Sequence, residues 1–150
     1  MQLTVFSHAR RAVGLLVLWL ETLQPLAQLA ARLYVAQAFF ASGLTKLRDW
    51  DTTLALFADE YHVPLLPPDV AAVMGTSGEL VLPVLLALGL AGRFAAAGLS
   101  VVNVVAVLSL AEIAPAALQQ HYLWGSLLIG LLLWGPGRWS ADALIARKLA

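Results

Sequence analysis

Residues 70–90 read VAAVMGTSGELVLPVLLALGL, and Glu79 is the one charge among them. A run of 21 residues this apolar reads as a membrane-crossing helix, since roughly 17–25 such residues span the hydrocarbon core. Counted from its first residue, Glu79 lies about 13 Å deep at ~1.5 Å per residue. A carboxylate at that depth is costly, requires a partner or a proton, and marks a site.

The rest of the chain agrees with this reading. It has 150 residues, 61% hydrophobic and 12% charged, with a mean hydropathy of +0.82. Soluble domains average about 45–50% apolar and about 25% charged, so this composition belongs in a bilayer. The formal net charge is zero, which gives no footprint for nucleic acid. There is no cysteine. A disulfide framework, a thiolate metal site and a thiol relay run by this chain alone are therefore excluded.

Three further apolar segments, at about 26–44, 94–114 and 117–134, have the length of a span. None alternates with period two, so helices rather than a barrel are expected. Charges from Lys46 to Asp51 and the prolines Pro64, Pro67 and Pro68 mark one boundary. Arg93, Pro115 and Gly135-Pro136-Gly137 mark the others. The expected fold is all-α: a single integral membrane domain over residues 1–150, built as a four-helix bundle with short interfacial helices at both termini. At the N-terminus, residues 12–20 are apolar but too short to span, and Arg10 and Arg11 precede them. An interfacial helix is expected there, with a cleaved signal as the alternative, and Pro25 then starts the first span. At the C-terminus, residues 139–150 suit a surface helix capped by Ser140, with Asp142 in its first turn and Arg147 and Lys148 in its last.

Four spans put both termini and the Arg93 turn on one side. Arg10, Arg11, Arg93, Arg138, Arg147 and Lys148 stand there, against Lys46 and Arg48 on the other. That excess predicts cytoplasmic termini. Trp50, Tyr61, Tyr122 and Trp124 would form the outer aromatic belt, and Trp19, Trp134 and Trp139 the inner one.

Few polar residues lie within the spans. Arg32, Phe39 and Lys46 repeat every seven residues, with Ala36 and Gly43 between them, so one stripe of the first span should face other helices. Lys46 from the outer side or Arg32 from below could answer Glu79. Such a pair either fixes helix register or serves a ligand or proton. Pro83 lacks the N–H that would bond the Glu79 carbonyl, so a helix break beside the site is expected, an ordinary proline kink being the alternative. Asn103 is expected to hydrogen-bond across helices. Arg93 and Glu112 are expected at helix ends, and His62 and His121 at the outer surface as ordinary interfacial residues. No metal site is expected, since no histidine has a second ligand at helical spacing.

Several motifs together resemble the DoxX family of small bacterial membrane proteins. They are Arg32 with Ala41-Ser42-Gly43-Leu44-Thr45-Lys46-Leu47; Gly78-Glu79-Leu80 with Pro83; Leu88-Gly89-Leu90-Ala91-Gly92-Arg93; and Gly135-Pro136-Gly137-Arg138-Trp139-Ser140-Ala141-Asp142. The resemblance spans about residues 26–147. It implies a four-helix protein of the bacterial inner (plasma) membrane. It also implies links to redox complexes, to thiosulfate:quinone oxidoreduction or to protein maturation, some of them through thiols that this chain does not have. On the matching positions it implies Arg32, Lys46, Glu79 and Arg93 as site residues.

Three functions stay open. The chain could be an accessory or anchoring subunit of a redox- or metal-related system, meeting a membrane or periplasmic partner through the loop 46–69. It could be a quinone-linked oxidoreductase subunit, with Arg32, Lys46 and Glu79 holding the quinone head group. It could be a small transporter with Glu79 as proton carrier. The small-residue faces permit a homodimer without requiring one.

Overall fold

Helix-starting prolines and a helix-ending glycine punctuate the chain as their backbone chemistry dictates. In the computed structural model, which describes the backbone of residues 2–149 and the side chains of residues 10 and 13–149, all regular structure among the described residues is helical. The helices are α1 (Gln2–Arg48), α2 (Trp50–Asp59), α3 (Pro68–Leu88), α4 (Gly92–Ser109), α5 (Pro115–Trp134) and α6 (Ala141–Leu149). Pro68 and Pro115 open α3 and α5, where a missing N–H costs nothing. Gly89 closes α3 at φ 67°. Its N–H bonds the Leu86 carbonyl and that of Leu90 bonds the Leu85 carbonyl, a Schellman ending.

The separate interfacial helix expected over residues 12–20 is not there. α1 is a single helix of 47 residues with Pro25 inside it. Pro25 removes one hydrogen bond, and the Leu, Gln and Ala residues around it are strong helix formers, so the helix continues. From Val13 to Arg48 the apolar part is 36 residues, about 54 Å at ~1.5 Å per residue, longer than a bilayer core of roughly 30 Å.

Among the described residues three helices are long and apolar enough to cross a membrane: α1 from Val13 onward, α3 and α4. The fourth expected span is helical as α5, with 20 residues. Its first half carries Gln119, Gln120 and His121 and is more polar than the other three. Val73, Val81, Phe94, Val101, Leu108, Ile129 and Leu133 are exposed on the helix surfaces. Apolar surface this widespread suits lipid rather than water.

α1 packs on α3, α3 on α4, α4 on α5 and α5 on α1. Val35, Phe39, Leu86, Ala95, Ala96, Leu99, Leu128 and Leu131 form the core between them. Small residues set the spacing. A Cβ added at Gly43 would stand 2.9 Å from the Leu80 side chain, and one at Gly98 would stand 2.8 Å from Leu82.

α2 lies within the stretch read from sequence as a loop. Asp49 caps it, accepting from the Thr52 N–H at 3.0 Å and the Thr52 hydroxyl at 2.7 Å. These two hydrogen bonds hold the Asp49 carboxyl below its ordinary range. The Thr53 hydroxyl donates to the carbonyls of Lys46 and Asp49, which joins α2 to the end of α1. Phe57 then packs on Ala71 and Ala72 of α3. A Trp50-Leu54-Phe57-Tyr61 spacing, readable in the sequence, foreshadows this helix.

At the opposite end the C-terminal segment is stitched into the α3–α4 turn. Ser140 caps α6 through the Ala143 N–H at 3.2 Å. The Asp142 carboxylate reaches further. It accepts from the N–H groups of Ala91 and Gly92, each at 2.8 Å, and so caps α4, whose preceding residue Ala91 is left-handed at φ 47°. Gly89 sits under this junction. A Cβ there would approach Ser140 Cβ to 2.5 Å and collide with the Arg32 guanidinium. Gly89→Ala should therefore lose about 1–2 kcal/mol to left-handed strain and about 1–3 kcal/mol more to crowding. Gly14→Ala, where a Cβ meets nothing within 4 Å, is the control. Detergent melting curves that shift equally for the two variants would contradict this account.

Candidate functional site

The close approach at Gly43 brings α1 against Glu79 and Leu80. Lys46, one turn on, then reaches Glu79. Its Nζ lies 2.6 Å from Glu79 Oε2 and 2.9 Å from Ser42 Oγ. Glu79 is 8% exposed and stands near the middle of α3. The Lys46 and Glu79 side chains are 18% and 10% exposed, so solvent screens this pair little.

Arg32 does not join them. It is buried at the α6 end, where Nη1 donates to the Pro136 carbonyl at 2.7 Å and Nη2 to the Trp139 carbonyl at 2.8 Å. The expected cluster of Arg32, Lys46 and Glu79 is thus divided. Arg32 and Lys46 share a stripe of α1 but lie about 21 Å apart along it at ~1.5 Å per residue. Arg93 is also at the α6 end, exposed, with its Nη2 on the Leu133 carbonyl at 3.3 Å.

Pro83 is fully buried, and α3 runs unbroken through it. The expected helix break is absent, because a single lost hydrogen bond is outweighed by packing on both sides, where Leu86 is completely buried. Gly78 leaves room for Val102, whose Cγ2 a Cβ there would meet at 3.3 Å, and the Phe57 ring lies over Gly75, 3.5 Å from where a Cβ would stand.

Beyond Lys46, α1 ends, and α2 rather than a long helix packs on the first half of α3. The result is a cavity of about 440 Å³. Phe39, Ser42, Lys46 and Glu79 form its floor, Val101, Val105, His121 and Trp124 its wall, and Phe57, Tyr61, Val63 and Pro64 its roof. The His62 N–H bonds the Ser109 carbonyl at 2.8 Å and ties this roof to α4. The Tyr61 phenol is pushed above its ordinary range by burial, then by the charges of Glu60 and Glu79.

Asn103 bridges α4 and α5. Its Nδ2 donates to the His121 carbonyl at 3.0 Å, and its Oδ1 lies 2.8 Å from His121 Nδ1. His121 and Trp124 were both assigned to the outer surface from sequence. The structure places both against the cavity, stacked edge to face at 5.1 Å, with Trp124 also edge-on to Phe39 at 5.5 Å. A polar Gln-His pair in α5 and an amide in mid-α4 were the visible signals, but only the helix register joins them. Among the described residues no three His, Asp or Glu side chains converge as a metal site. The cavity offers hydrogen bonds and one ion pair.

A helical membrane protein with an ion pair buried beside an apolar cavity is the class these features define. Residues 27–112 match the model of the DoxX family, and the chain belongs to that family. The match takes in Lys46, Glu79 and Asn103 and stops before α5, so His121 and the segment gripped by Arg32 lie outside it. No curated protein and no solved structure matches the chain.

Proposed function

We propose that this chain is a four-span subunit of a redox system in the bacterial inner membrane, with both termini cytoplasmic. In this reading α5 completes the bundle, and the cavity binds a small amphiphile of the quinone type. The observation that carries it is the Lys46–Glu79 pair at the floor of an otherwise largely apolar space of about 440 Å³. Ligand pockets run from roughly 300 to 1,000 Å³ and combine apolar walls with few polar anchors. An ammonium donor at the floor suits a ring oxygen, while aliphatic and aromatic walls suit the ring and tail. Electron transfer itself belongs to a partner, which α2 and the roof loop are placed to meet.

The proton-carrier reading is weaker. Glu79 is tied to Lys46, and Val35, Phe39, Leu86 and Leu128 are packed between the pair and the α6 end, which leaves a carried proton no evident exit there.

Purified protein in lipid nanodiscs, titrated with a short-tailed quinone and its hydroquinone, tests the proposal. At least one should bind saturably at micromolar concentration. Replacing both Lys46 and Glu79 by Leu should weaken binding about tenfold, equivalent to ~1.4 kcal/mol. Absence of saturable binding by either form overturns it.

A further inference from the structure

We propose that His121 makes the cavity select ring head groups bearing a hydroxyl, phenols and hydroquinones, over carbonyls and ethers of the same shape. This rests on reading the cavity as a ligand site. The inference begins with the orientation of Asn103. Its Nδ2 faces the His121 carbonyl at 3.0 Å, and a carbonyl oxygen can only accept, so the amide cannot be turned round. Its Oδ1, an acceptor, then faces Nδ1 of His121 at 2.8 Å. Nδ1 must therefore carry the proton of the neutral imidazole. The lone pair falls on Nε2. That atom has no hydrogen-bond partner among the described residues, and the ring lines the cavity. Asn103 on one edge and Trp124 beside it at 5.1 Å hold the ring in place.

With Nε2 turned to the cavity, as the proposal requires, the wall presents a fixed acceptor, while the floor presents a donor. An ammonium has three N–H groups. Lys46 uses one on Glu79 and one on Ser42. The complementary ligand donates one hydrogen bond and accepts another. A phenol with a second ring oxygen does both. A quinone offers only acceptors, so its second carbonyl would set lone pair against lone pair at Nε2, and an ether fails in the same way.

The test uses probes that cannot interconvert as quinone and hydroquinone, under argon at pH 8: a 4-alkoxyphenol with a ten-carbon tail, and its O-methyl ether. Wild-type protein in nanodiscs should bind the phenol about tenfold more tightly. In His121→Phe the two affinities should become equal through loss of phenol binding, with ether binding kept. Asn103→Leu should narrow the ratio, because both tautomers of His121 become accessible. Equal affinities in the wild type, or a preference that survives His121→Phe, overturn the inference but leave the cavity reading standing. If neither probe binds, the cavity reading itself falls. Should the variants not fold, ¹⁵N NMR of histidine-labelled protein with His8 and His62 replaced by Gln decides. Protonated Nδ1, with an Nε2 signal that moves on phenol addition, supports the inference. Protonated Nε2 overturns it.

Discussion

Glu79→Leu should lower the unfolding free energy of the detergent-purified protein by about 3–5 kcal/mol, the cost of leaving a buried charge without its partner. Lys46 would keep only the Ser42 hydroxyl at 2.9 Å. Water entering the neighbouring cavity should hold the loss near the lower end of that range. The double replacement of Lys46 and Glu79 by Leu should unfold nearer to wild type than Glu79→Leu does, because an apolar pair of similar volume removes the desolvation cost together with the attraction. A double-mutant cycle from unfolding titrations isolates the coupling. The same double variant is expected to bind ligand poorly, which separates the structural contribution of the pair from its functional one. If Glu79→Leu unfolds within about 0.5 kcal/mol of wild type, the size of ordinary surface effects, the pair is not structurally important.

Arg32→Leu should destabilise the opposite end by about 2–4 kcal/mol. Arg32 is 1% exposed and supplies the hydrogen bonds to the Pro136 and Trp139 carbonyls. Stranding a buried carbonyl costs about 1–3 kcal/mol each. Part of this is offset, because Nε of Arg32 has no partner and its burial is itself unfavourable. The loss should be local. Hydrogen exchange should quicken over residues 135–149 and at the Ala91 and Gly92 amides, which Asp142 caps from that segment. Amides of α2 should exchange as before. Arg32→Lys should fall between the two, since an ammonium lacks the planar fork that meets two carbonyls at once. Unchanged exchange at the α6 end in Arg32→Leu would refute the holding of this segment by the Arg32 guanidinium.

Pro25 and Pro83 show where local rules mislead. Each removes one hydrogen bond, and from sequence each reads as a boundary or a break. Both sit inside continuous helices. α2 was hidden for another reason. Its charges and the prolines that follow it, Pro64, Pro67 and Pro68, read as loop, although Asp49 with Thr52 and the spacing of Trp50, Leu54, Phe57 and Tyr61 were there to be seen. Glu79 was legible as a residue needing an answer, yet Lys46 and Arg32 lay on one stripe and nothing local could choose between them. The choice came from Gly43, whose missing side chain sets α1 against Leu80.

Hydropathy and helix propensity act over windows of some twenty residues. Those windows alone were enough to establish a helical membrane protein with a carboxylate deep in one helix. The partner of that carboxylate, the cavity above it and the turning of His121 into the wall depend on register between helices distant along the chain. α1 stops level with the middle of α3, and that single offset both brings Lys46 to Glu79 and leaves the space beyond them unfilled. Packing between surfaces sets such an offset, and no one segment carries it.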